Sequence, residues 1–299
     1  MARILVTGAA GFVGAALLAW LHGEGHDVWG TTTGPADGQI RHCDIQDRAS
    51  VDALMKEIDP EIVVHCAAIS SVTSGQAIDY YAVNTVGTEN LLNAFATTPS
   101  RKRFVFISTA GVYGNQPTEI LHEELRPQPV HHYGLSKLAS ELLLHNYAGK
   151  FETTVIRPFN IIGEGQNAEF IVPKLLRAFA ARAHTVRLGN LDVYRDYIDI
   201  LDAVKIISAL ALSDRAAGET VNLCSGSPVS INDLIEIFRS ATNHDLRVEV
   251  APEFVRANEV WRLLGDIRKL ETILGTHLVF NPIDRTIRRM LTAISTTED

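Results

Sequence analysis

The chain has 299 residues, of which 46% are hydrophobic and 21% are charged. These proportions exclude a disordered or fibrous chain and predict a globular protein with one large domain or two modest ones. The 27 lysines and arginines are outnumbered by 35 aspartates and glutamates, so the net charge of −8 argues against nucleic acid as a partner. Three widely spaced cysteines predict neither a disulfide framework nor a metal site.

The N-terminal region predicts a cytoplasmic protein without membrane contact. The first thirty residues carry neither a cationic leader nor a secretion-type cleavage pattern, and the apolar run 17–21 is too short to span a bilayer. The absence of paired cysteines fits a reducing compartment.

The first half of the chain alternates short apolar runs with longer segments of helical spacing. Residues 3–8 are typical of a buried strand that runs into a glycine, and residues 12–21 have the spacing of a helix. Similar strands are predicted at 28–31, 62–66, 104–108 and 154–156. Each is followed by enough chain for a helix. This alternation predicts an α/β fold, a Rossmann-type doubly wound parallel sheet covered on both faces.

After residue 160 the regular alternation of predicted strands and helices ends. The predicted elements are helices at 170–181 and 198–212 and short strands near 186–188 and 220–223. We therefore divide the chain into a dinucleotide-binding Rossmann domain, residues 1–160, and a smaller α/β C-terminal substrate-binding portion, residues 161–299. The apolar density of residues 197–225 predicts that this segment packs back onto the first domain.

Three glycines follow the first predicted strand at a spacing of three residues. Gly8, Gly11 and Gly14 lie where the chain must turn tightly and let the main chain approach a pyrophosphate at a helix N-terminus. The position between a strand and a helix is the context that this motif requires. The turn predicts a bound dinucleotide, and the motif fits either a nicotinamide cofactor or a flavin.

The end of the second strand bears on the choice between NAD and NADP. The segment 29–34 has no carboxylate, which would grip a free ribose 2′-hydroxyl and repel a 2′-phosphate, and it has no arginine either. Its threonine hydroxyls, among them Thr32, are the groups that could bind a phosphate. We expect NADP(H) to be preferred, with NAD(H) also used.

Tyr133 and Lys137 are four residues apart in a segment of helical spacing, so the phenol and the ammonium share one face. A free tyrosine has a pKa near 10, too high for ready proton transfer at neutral pH, and a neighbouring cation lowers it. The pair predicts an acid that acts beside the dinucleotide, with the pKa of the phenol lowered by the lysine.

Together these motifs make the chain similar to an extended short-chain dehydrogenase/reductase of the nucleotide-sugar branch, over nearly its whole length. The matching segments, beside Tyr133 and Lys137, are 7–14, 43–45, 65–70, 84–88, 108–114 and 157–160. Counting back four residues from Tyr113 places the family's catalytic hydroxyl on Thr109. The resemblance implies that Thr109 binds the sugar oxygen, Tyr133 transfers the proton and Lys137 holds the nicotinamide ribose.

The resemblance also implies binding residues. With the glycines and Thr32 already named, the predicted cofactor-binding set is Gly8, Gly11, Phe12, Val13, Gly14, Thr32, Asp44, Ile45, Ala67, Ala68, Tyr133 and Lys137. The predicted substrate-binding set is Ser70, Thr109, Asn160, Arg195 and Arg256. An arginine suits a nucleotide diphosphate because its guanidinium meets two phosphate oxygens at once. A surface ion pair is the alternative role for each arginine.

The residues after Thr109 restrict the reaction. The family's dehydratases have a carboxylic acid there, and its epimerising reductases have a cysteine two residues before Tyr113, but this chain has Ala110 and Gly111. A 4-ketoreductase or a 4-epimerase remains. The segments 157–166 and 188–196 resemble the group of GDP-mannose dehydratases and GDP-6-deoxy-mannose reductases.

The predicted function is therefore NAD(P)H-dependent reduction of the C4 ketone of a nucleotide-linked 4-keto-6-deoxyhexose. GDP-4-keto-6-deoxy-D-mannose, giving GDP-6-deoxy-D-mannose or its C4 stereoisomer, is the first candidate substrate. The alternatives are an NAD-dependent nucleotide-sugar 4-epimerase and a non-catalytic dinucleotide-binding sensor. Glu164 and Ala257 stand where the family usually has proline. The helix bearing Tyr133 and the predicted helix 77–96 resemble the pair that family members bury in a homodimer, so a homodimer is expected.

Overall fold

The computed structural model describes residues 2–70, 76–254 and 259–295, apart from the side chain of Ser295. The strands are β1 (Arg3–Thr7), β2 (Asp27–Thr32), β3 (Ile40–His42), β4 (Ile62–His65), β5 (Arg103–Ile107), β6 (Glu152–Pro158), β7 (Asn160–Ile162), β8 (Thr185–Leu188), β9 (Tyr194–Asp199), β10 (Thr220–Leu223), β11 (Pro228–Ser230), β12 (Arg247–Val250) and β13 (Arg262–Leu263). The α-helices are α1 (Phe12–Gly23), α2 (Arg48–Ile58), α3 (Ala77–Tyr80), α4 (Gly87–Thr97), α5 (His132–Leu144), α6 (Ile171–Ala180), α7 (Ile200–Leu212), α8 (Ile231–Thr242), α9 (Arg268–Leu274) and α10 (Ile283–Ser295).

Seven parallel strands form the central sheet, in the order β3, β2, β1, β4, β5, β6, β10. The strand order reverses between β1 and β4. In an open parallel sheet, ligands bind outside the carboxyl ends of the strands at such a reversal. The predicted Rossmann-type doubly wound sheet is confirmed, and its crevice lies where the glycine turn leaves β1.

The alternation of side chains along β1 explains why both faces of the sheet are covered. Ile4 and Val6 point to the face that packs against Leu17 of α1, together with α7. Leu5 points to the opposite face, where Phe95 of α4 lies in the second core cluster. Successive residues of a strand face opposite sides, so a strand buried on both sides is apolar throughout.

Chain from beyond residue 160 joins this central layer. Strand β10 pairs with β6, and Ile206 and Ile207 of α7 are buried in the same core cluster as α1. The predicted helix 198–212 starts too early, because residues up to Asp199 belong to β9 and pair with β7. Asp199 then caps α7 by accepting a hydrogen bond from the Leu201 N–H at 2.8 Å.

The remaining strands form smaller sheets beside the carboxyl edge of the central one. β9 pairs with β11, β13 and β7, and β12 pairs with β8. Beneath them Phe179 of α6 stacks on Phe238 of α8 at 5.3 Å between ring centroids. Across the described ranges, none of the helices has the length and apolar character that a bilayer crossing requires.

The predicted helix 77–96 is divided into α3 and α4 by one π-helical segment, Tyr81–Val86. Such wide turns are rare and often occur at functional sites. Asn84 lies within the segment, and its Nδ2 donates to the Ser136 hydroxyl on α5 at 3.0 Å. The wide turn thus links the helix to the one that carries Tyr133 and Lys137.

Candidate dinucleotide and catalytic site

The turn between β1 and α1 packs main chain against main chain so closely that Gly8 and Gly14 have no room for a Cβ atom. Gly8 has φ of +69°, and a Cβ on it would lie 2.8 Å from the Cα of Ala67. A Cβ on Gly14 would lie 2.2 Å from the carbonyl oxygen of Gly8. Only glycine allows approaches this close, so the turn forms a cradle lined by main chain, which fits a pyrophosphate.

Helix α1 opens directly onto this cradle. Its N-cap is Gly11, which has no side chain to cover the helix end. The N–H groups of Phe12 and Val13 in the first turn therefore lack intrahelical acceptors and carry the positive end of the helix dipole. Ala9 N–H donates to Thr31 O at 2.8 Å and holds the turn against β2. The predicted phosphate-binding residues thus lie together in a geometry suited to an anion.

A chain of hydrogen bonds holds the end of β4 beside the turn. Ala67 N–H donates to Thr7 Oγ1 at 3.2 Å, and Thr7 Oγ1 lies 2.6 Å from Nδ1 of the buried His65. Nε2 of His65 is 2.9 Å from Thr88 Oγ1, whose hydroxyl donates to Asn84 O at 2.5 Å. Since Thr88 gives its proton to Asn84, its oxygen accepts from Nε2 of His65. Burial holds the pKa of His65 well below its usual value.

The predicted adenosine contacts lie at the neighbouring edge of the sheet. Cys43 N–H donates to Thr32 O at 2.9 Å, which places Asp44 and Ile45 beside the end of β2. The Asp44 carboxylate accepts from Gln46 N–H at 2.9 Å, and Ile45 is buried. Thr32, Asp44 and Ile45 are therefore brought together on the β2 side of the glycine turn. Ala67 and Ala68 follow β4 on its other side.

Thr109, Tyr133 and Lys137 form one cluster at the carboxyl end of β5. Thr109 Oγ1 accepts from Gly111 N–H at 3.0 Å, and the Thr109 side chain is hydrogen-bonded to the Tyr133 phenol. Lys137, one helical turn after Tyr133 on α5, is buried and donates from Nζ to Ile107 O at 2.7 Å. The spacing of four residues on α5 thus produces the neighbourhood that the sequence predicted.

The pKa values of Tyr133 and Lys137 differ from what the sequence predicted. Burial raises the pKa of Tyr133 to about 12, although a hydrogen bond with Thr109 opposes the rise. Burial also lowers the pKa of Lys137 to about 8, while the neighbouring Glu141 carboxylate favours the charged ammonium. The predicted net fall in the pKa of the phenol is wrong, because burial outweighs any effect of the Lys137 ammonium, which is directed at a main-chain carbonyl. Tyr133 is a neutral phenol at pH 7, ready to give up a proton.

We expect Lys137→Met to be more stable than the wild-type protein near pH 7, because it removes a buried charge. The pKa of Lys137 is about 8 in the folded protein against 10.5 in the unfolded chain. Below pH 8 the folded protein carries the full cost of the charge, and this cost falls as the pH rises toward 10.5. The advantage of the variant in free energy of unfolding should shrink by roughly 1 kcal/mol from pH 8 to pH 9. Urea unfolding of both proteins across this range measures it.

Lys205→Met is the matched control, since Lys205 is exposed on α7. The difference in free energy of unfolding between Lys205→Met and the wild-type protein should not change over the same pH range. A pH-independent difference for Lys137→Met would contradict a lowered lysine pKa.

The sequence analysis missed a buried ion pair directly behind the cluster. Glu141, one turn after Lys137, accepts from Arg157 Nε at 3.1 Å and from Arg157 Nη2 at 2.7 Å. Its Oε1 also accepts a short hydrogen bond from the Ser108 hydroxyl. Both side chains of the pair are 6% exposed. The positions of Tyr133, Lys137 and Glu141, each four residues apart, are the signal in the sequence that points to it.

Asn160 begins β7 just after the carboxyl end of β6, next to the end of β5 in the sheet. It lies in register with Tyr197 on β9. Its Oδ1 is buried and meets no hydrogen-bond donor among the residues that the structure describes. Asn160 therefore lies at the same sheet edge as Thr109, and its Oδ1 can accept a hydrogen bond from a ligand there.

Two of the other predicted substrate contacts, Arg195 and Ser70, lie on elements outside α5 and β5. Arg195 on β9 forms an ion pair with Glu259 at 3.1 Å, the two side chains being 15% and 10% exposed. The guanidinium is thus paired with a carboxylate, the alternative weighed for each arginine. Ser70 is exposed in the loop after β4. Arg256 lies outside the described residues.

Comparison with known proteins agrees with this geometry. Residues 4–224 match the model of the NAD dependent epimerase/dehydratase family. The chain is 36% identical over 290 residues to GDP-6-deoxy-D-talose 4-dehydrogenase from Aggregatibacter actinomycetemcomitans, covering 96% of each chain. It is 32% identical over 284 residues to GDP-6-deoxy-D-mannose reductase from Pseudomonas aeruginosa, covering 91% of each.

Among solved structures, RMD from Pseudomonas aeruginosa complexed with NADPH superposes with a TM-score of 0.87 at 29% identity, covering 99% of this chain and 100% of that one. The matches confirm the predicted family, and with it the prediction of an NAD(P)-dependent enzyme. The sequence match covers most of the chain and agrees with the parallel sheet, the glycine cradle and the cluster of Thr109, Tyr133 and Lys137. The chain therefore belongs to the NAD-dependent epimerase/dehydratase family of extended short-chain dehydrogenases/reductases.

Proposed function

We propose that the protein reduces the C4 ketone of a nucleotide-linked 4-keto-6-deoxyhexose with NAD(P)H. The observation that carries the proposal is the neutral Tyr133 phenol, hydrogen-bonded to Thr109 and one turn from the buried Lys137. The names of two relatives, a GDP-6-deoxy-D-talose dehydrogenase and a GDP-6-deoxy-D-mannose reductase, favour a GDP-linked 6-deoxyhexose. The substrate we propose is GDP-4-keto-6-deoxy-D-mannose, with GDP-6-deoxy-D-mannose or its C4 stereoisomer as product.

Thr109, Tyr133 and Lys137 each have a separate role in the proposed proton transfer. The glycine turn at Gly8, Gly11 and Gly14 would hold a nicotinamide dinucleotide, which would supply the hydride when bound. The Thr109 hydroxyl binds the oxygen at C4, and Tyr133 gives that oxygen its proton. A phenol that is protonated at pH 7 suits reduction, because the reduced oxygen must receive a proton. Lys137 then stabilises the phenolate that remains.

The nucleotide diphosphate is proposed to lie against Asn160 and Arg195. Asn160 presents a buried side chain at the sheet edge next to Thr109, and Arg195 already binds an anionic group in Glu259. A guanidinium that accommodates a carboxylate fork also fits two phosphate oxygens. Ser70 and Arg256 are further proposed contacts.

The direct test supplies purified protein with GDP-4-keto-6-deoxy-D-mannose and NADPH and follows the loss of NADPH absorbance. The same assay with the dTDP-linked ketosugar tests the base. We expect turnover with the GDP sugar at a kcat/KM at least about tenfold above that with the dTDP sugar. NADPH that remains unconsumed with both sugars would overturn the proposal.

A nucleotide-sugar 4-epimerase is the second candidate, favoured by the family match itself. An epimerase keeps its dinucleotide through turnover. Protein of that kind would be purified with bound NAD and would convert a sugar nucleotide without added NADPH. A dehydratase is disfavoured because Ala110 and Gly111 follow Thr109, where an acid would be needed.

We propose that NADPH is preferred over NADH. No carboxylate lies in residues 29–34. Arg41 on β3, in register with Thr31, is held by Glu57 at 2.7 Å and lies over the ring of Trp29 at 4.5 Å. The preference therefore depends on hydroxyl groups and on the absence of local repulsion in this segment. Dual use of the two cofactors follows, with NADPH ahead.

Thr33→Asp should weaken NADPH binding by about tenfold and change NADH binding little, because the new carboxylate repels a 2′-phosphate. Thr33 is exposed after β2, so the change costs no packing. Thr33→Asn, of equal size and no charge, is the control. Fluorescence titration with each cofactor measures the dissociation constants. Equal weakening of both cofactors by Asp would contradict the placement of the phosphate, and a hundredfold NADH preference in the wild-type protein would contradict the proposed preference.

We also propose a homodimer. Ile78 on α3, Val86 in the π segment, and Leu135 and Leu142 on α5 are large apolar side chains exposed to solvent on adjacent helices. Leu135 and Leu142 are seven residues apart and share one face. A second copy that packs the same face against this one would cover them. Light scattering should give twice the chain mass at micromolar concentration, and a monomer mass would contradict the proposal.

A further inference from the structure

Helix α5 is tied to the carboxyl end of β5 by three side chains, one from each successive turn. The contacts are Tyr133 to the Thr109 side chain, Lys137 to Ile107 O and Glu141 to the Ser108 hydroxyl. The first two belong to the proposed chemistry. The third has no part in it, although Glu141 is buried like Lys137 and holds the residue next to Thr109.

Glu141 is fixed from two further elements. Arg157 on β6 binds both of its carboxylate oxygens, through Nε at 3.1 Å and Nη2 at 2.7 Å. The Arg157 guanidinium also lies over the ring of Tyr113, 4.9 Å from its centroid. A bidentate pair of this kind is the arrangement of an ionised carboxylate, and its geometry is specific. Glu141 thus presents a rigid negative charge one turn from Lys137.

We propose that Glu141 is a positioning residue of the catalytic cluster. It holds Ser108, so that the Thr109 hydroxyl stays directed at Tyr133, and its charge keeps Lys137 protonated. The proposal rests on the proposed reductase function for its kinetic consequences, while its electrostatic consequence concerns the protein alone.

The groups around Lys137 make Glu141 the relevant charge. Cys66 and His65 face it from β4 and the residue that follows, Tyr133 and Glu141 lie on its own helix, and Arg157 lies beyond Glu141. His65 is neutral, and burial raises the pKa of the Cys66 thiol to about 12, so the thiol is neutral as well. Among these groups Glu141 alone brings a negative charge at neutral pH.

Glu141→Gln keeps the size of the side chain and removes its charge. In protein labelled with ¹³C at the lysine ε-carbon, seven lysines give seven signals, and Lys137 is assigned by its loss in Lys137→Met. We expect the titration midpoint of Lys137 to fall by about half a pH unit or more in Glu141→Gln. The alkaline limb of the kcat/KM profile should shift the same way. An unchanged midpoint would overturn the electrostatic role.

Ser108→Ala separates position from charge, because it leaves the ion pair whole. We expect kcat to fall about tenfold, with KM for NADPH and the Lys137 midpoint unchanged. A wild-type kcat would overturn the positioning role. This variant decides that role even if Glu141→Gln does not fold, since the Arg157 pair then remains in place.

The matched control is Glu152→Gln, at the opposite end of β6. Glu152 pairs with the buried Arg103 away from the carboxyl edge of the sheet. This variant also breaks an arginine pair on β6, and it should change neither the Lys137 midpoint nor the pH profile. A similar shift in Glu152→Gln would show general loosening and overturn the assignment to Glu141. Because the NMR titration needs no substrate, it stands whether or not the wild-type protein reduces the proposed sugar.

Discussion

Tyr133→Phe should lower kcat by about 10³-fold and leave the dissociation constant for NADPH within about twofold of the wild-type value. The substitution removes one oxygen, the proton donor, and keeps the ring on α5. The phosphate-binding cradle at Gly8 and Gly14 is untouched by it, so cofactor affinity should persist. Thr109 retains its bond to Gly111 N–H at 3.0 Å and stays in place.

Steady-state kinetics with the GDP-linked ketosugar and fluorescence titration with NADPH provide the two readouts. Tyr81→Phe is the matched control, since the Tyr81 hydroxyl lies 3.1 Å from Nδ1 of His132 at the start of the same helix. It should keep kcat within about twofold of the wild-type value. A Tyr133→Phe rate within tenfold of the wild-type rate would rule out the phenol as the principal acid.

Gly14→Ala should raise the dissociation constant for the dinucleotide by about 100-fold or more. Its Cβ would lie 2.2 Å from Gly8 O and 2.8 Å from Gly8 C, and both are main-chain atoms that cannot swing aside. Either the turn opens or α1 moves away from β1. In both cases the N–H groups of Phe12 and Val13 no longer converge with the turn, and the free energy of unfolding falls as well.

Gly23→Ala controls for the substitution itself, because Gly23 ends the same helix and a Cβ there meets nothing within 4 Å among the described atoms. Alanine is favoured over glycine inside a helix, so this variant should be as stable as the wild-type protein or slightly more stable. Titration with NADPH and urea unfolding compare the two. Near-normal NADPH affinity in Gly14→Ala would show that the turn does not hold the phosphates.

The raised pKa of Tyr133 bears on the direction of the reaction. In oxidation the phenol would have to take a proton, which requires a phenolate. Burial raises its pKa to about 12, so the neutral acid prevails at physiological pH. The named relatives include both a dehydrogenase and a reductase. The neutral phenol fits the proposed reduction, in which Tyr133 gives up a proton.

Features that depend on neighbouring residues were predictable. The strand β1 (Arg3–Thr7) and the start of α1 at Phe12 follow from a short apolar run, a glycine and helical spacing. The pairing of Tyr133 with Lys137 follows from a helical period that is written in consecutive residues. Strand β9 (Tyr194–Asp199) was not predicted, because the helical spacing of α7 continues upstream to residue 198, and pairing with β7 outweighs that spacing at residues 197–199.

Contacts between distant segments were not predictable from one sequence. Glu141 meets Arg157 because β5 and β6 are adjacent in the sheet, and Arg195 meets Glu259 across 64 positions of the chain. His65 is another case, since its two ring nitrogens form hydrogen bonds with Thr7 and Thr88 from different elements. Such partners are set by the sheet order, which the spacing of residues does not specify.

The parallel α/β architecture, the glycine cradle and the side chains around it could be predicted from residue order alone, because each depends on local periodicity or on the absence of a Cβ. The acidities of the site could not. Burial raises the pKa of Tyr133 and lowers that of Lys137, and a carboxylate from the next turn of the helix opposes the fall at Lys137. Desolvation and the distances between charges exist only once the layers have packed, so the proton chemistry of the site is a property of the fold.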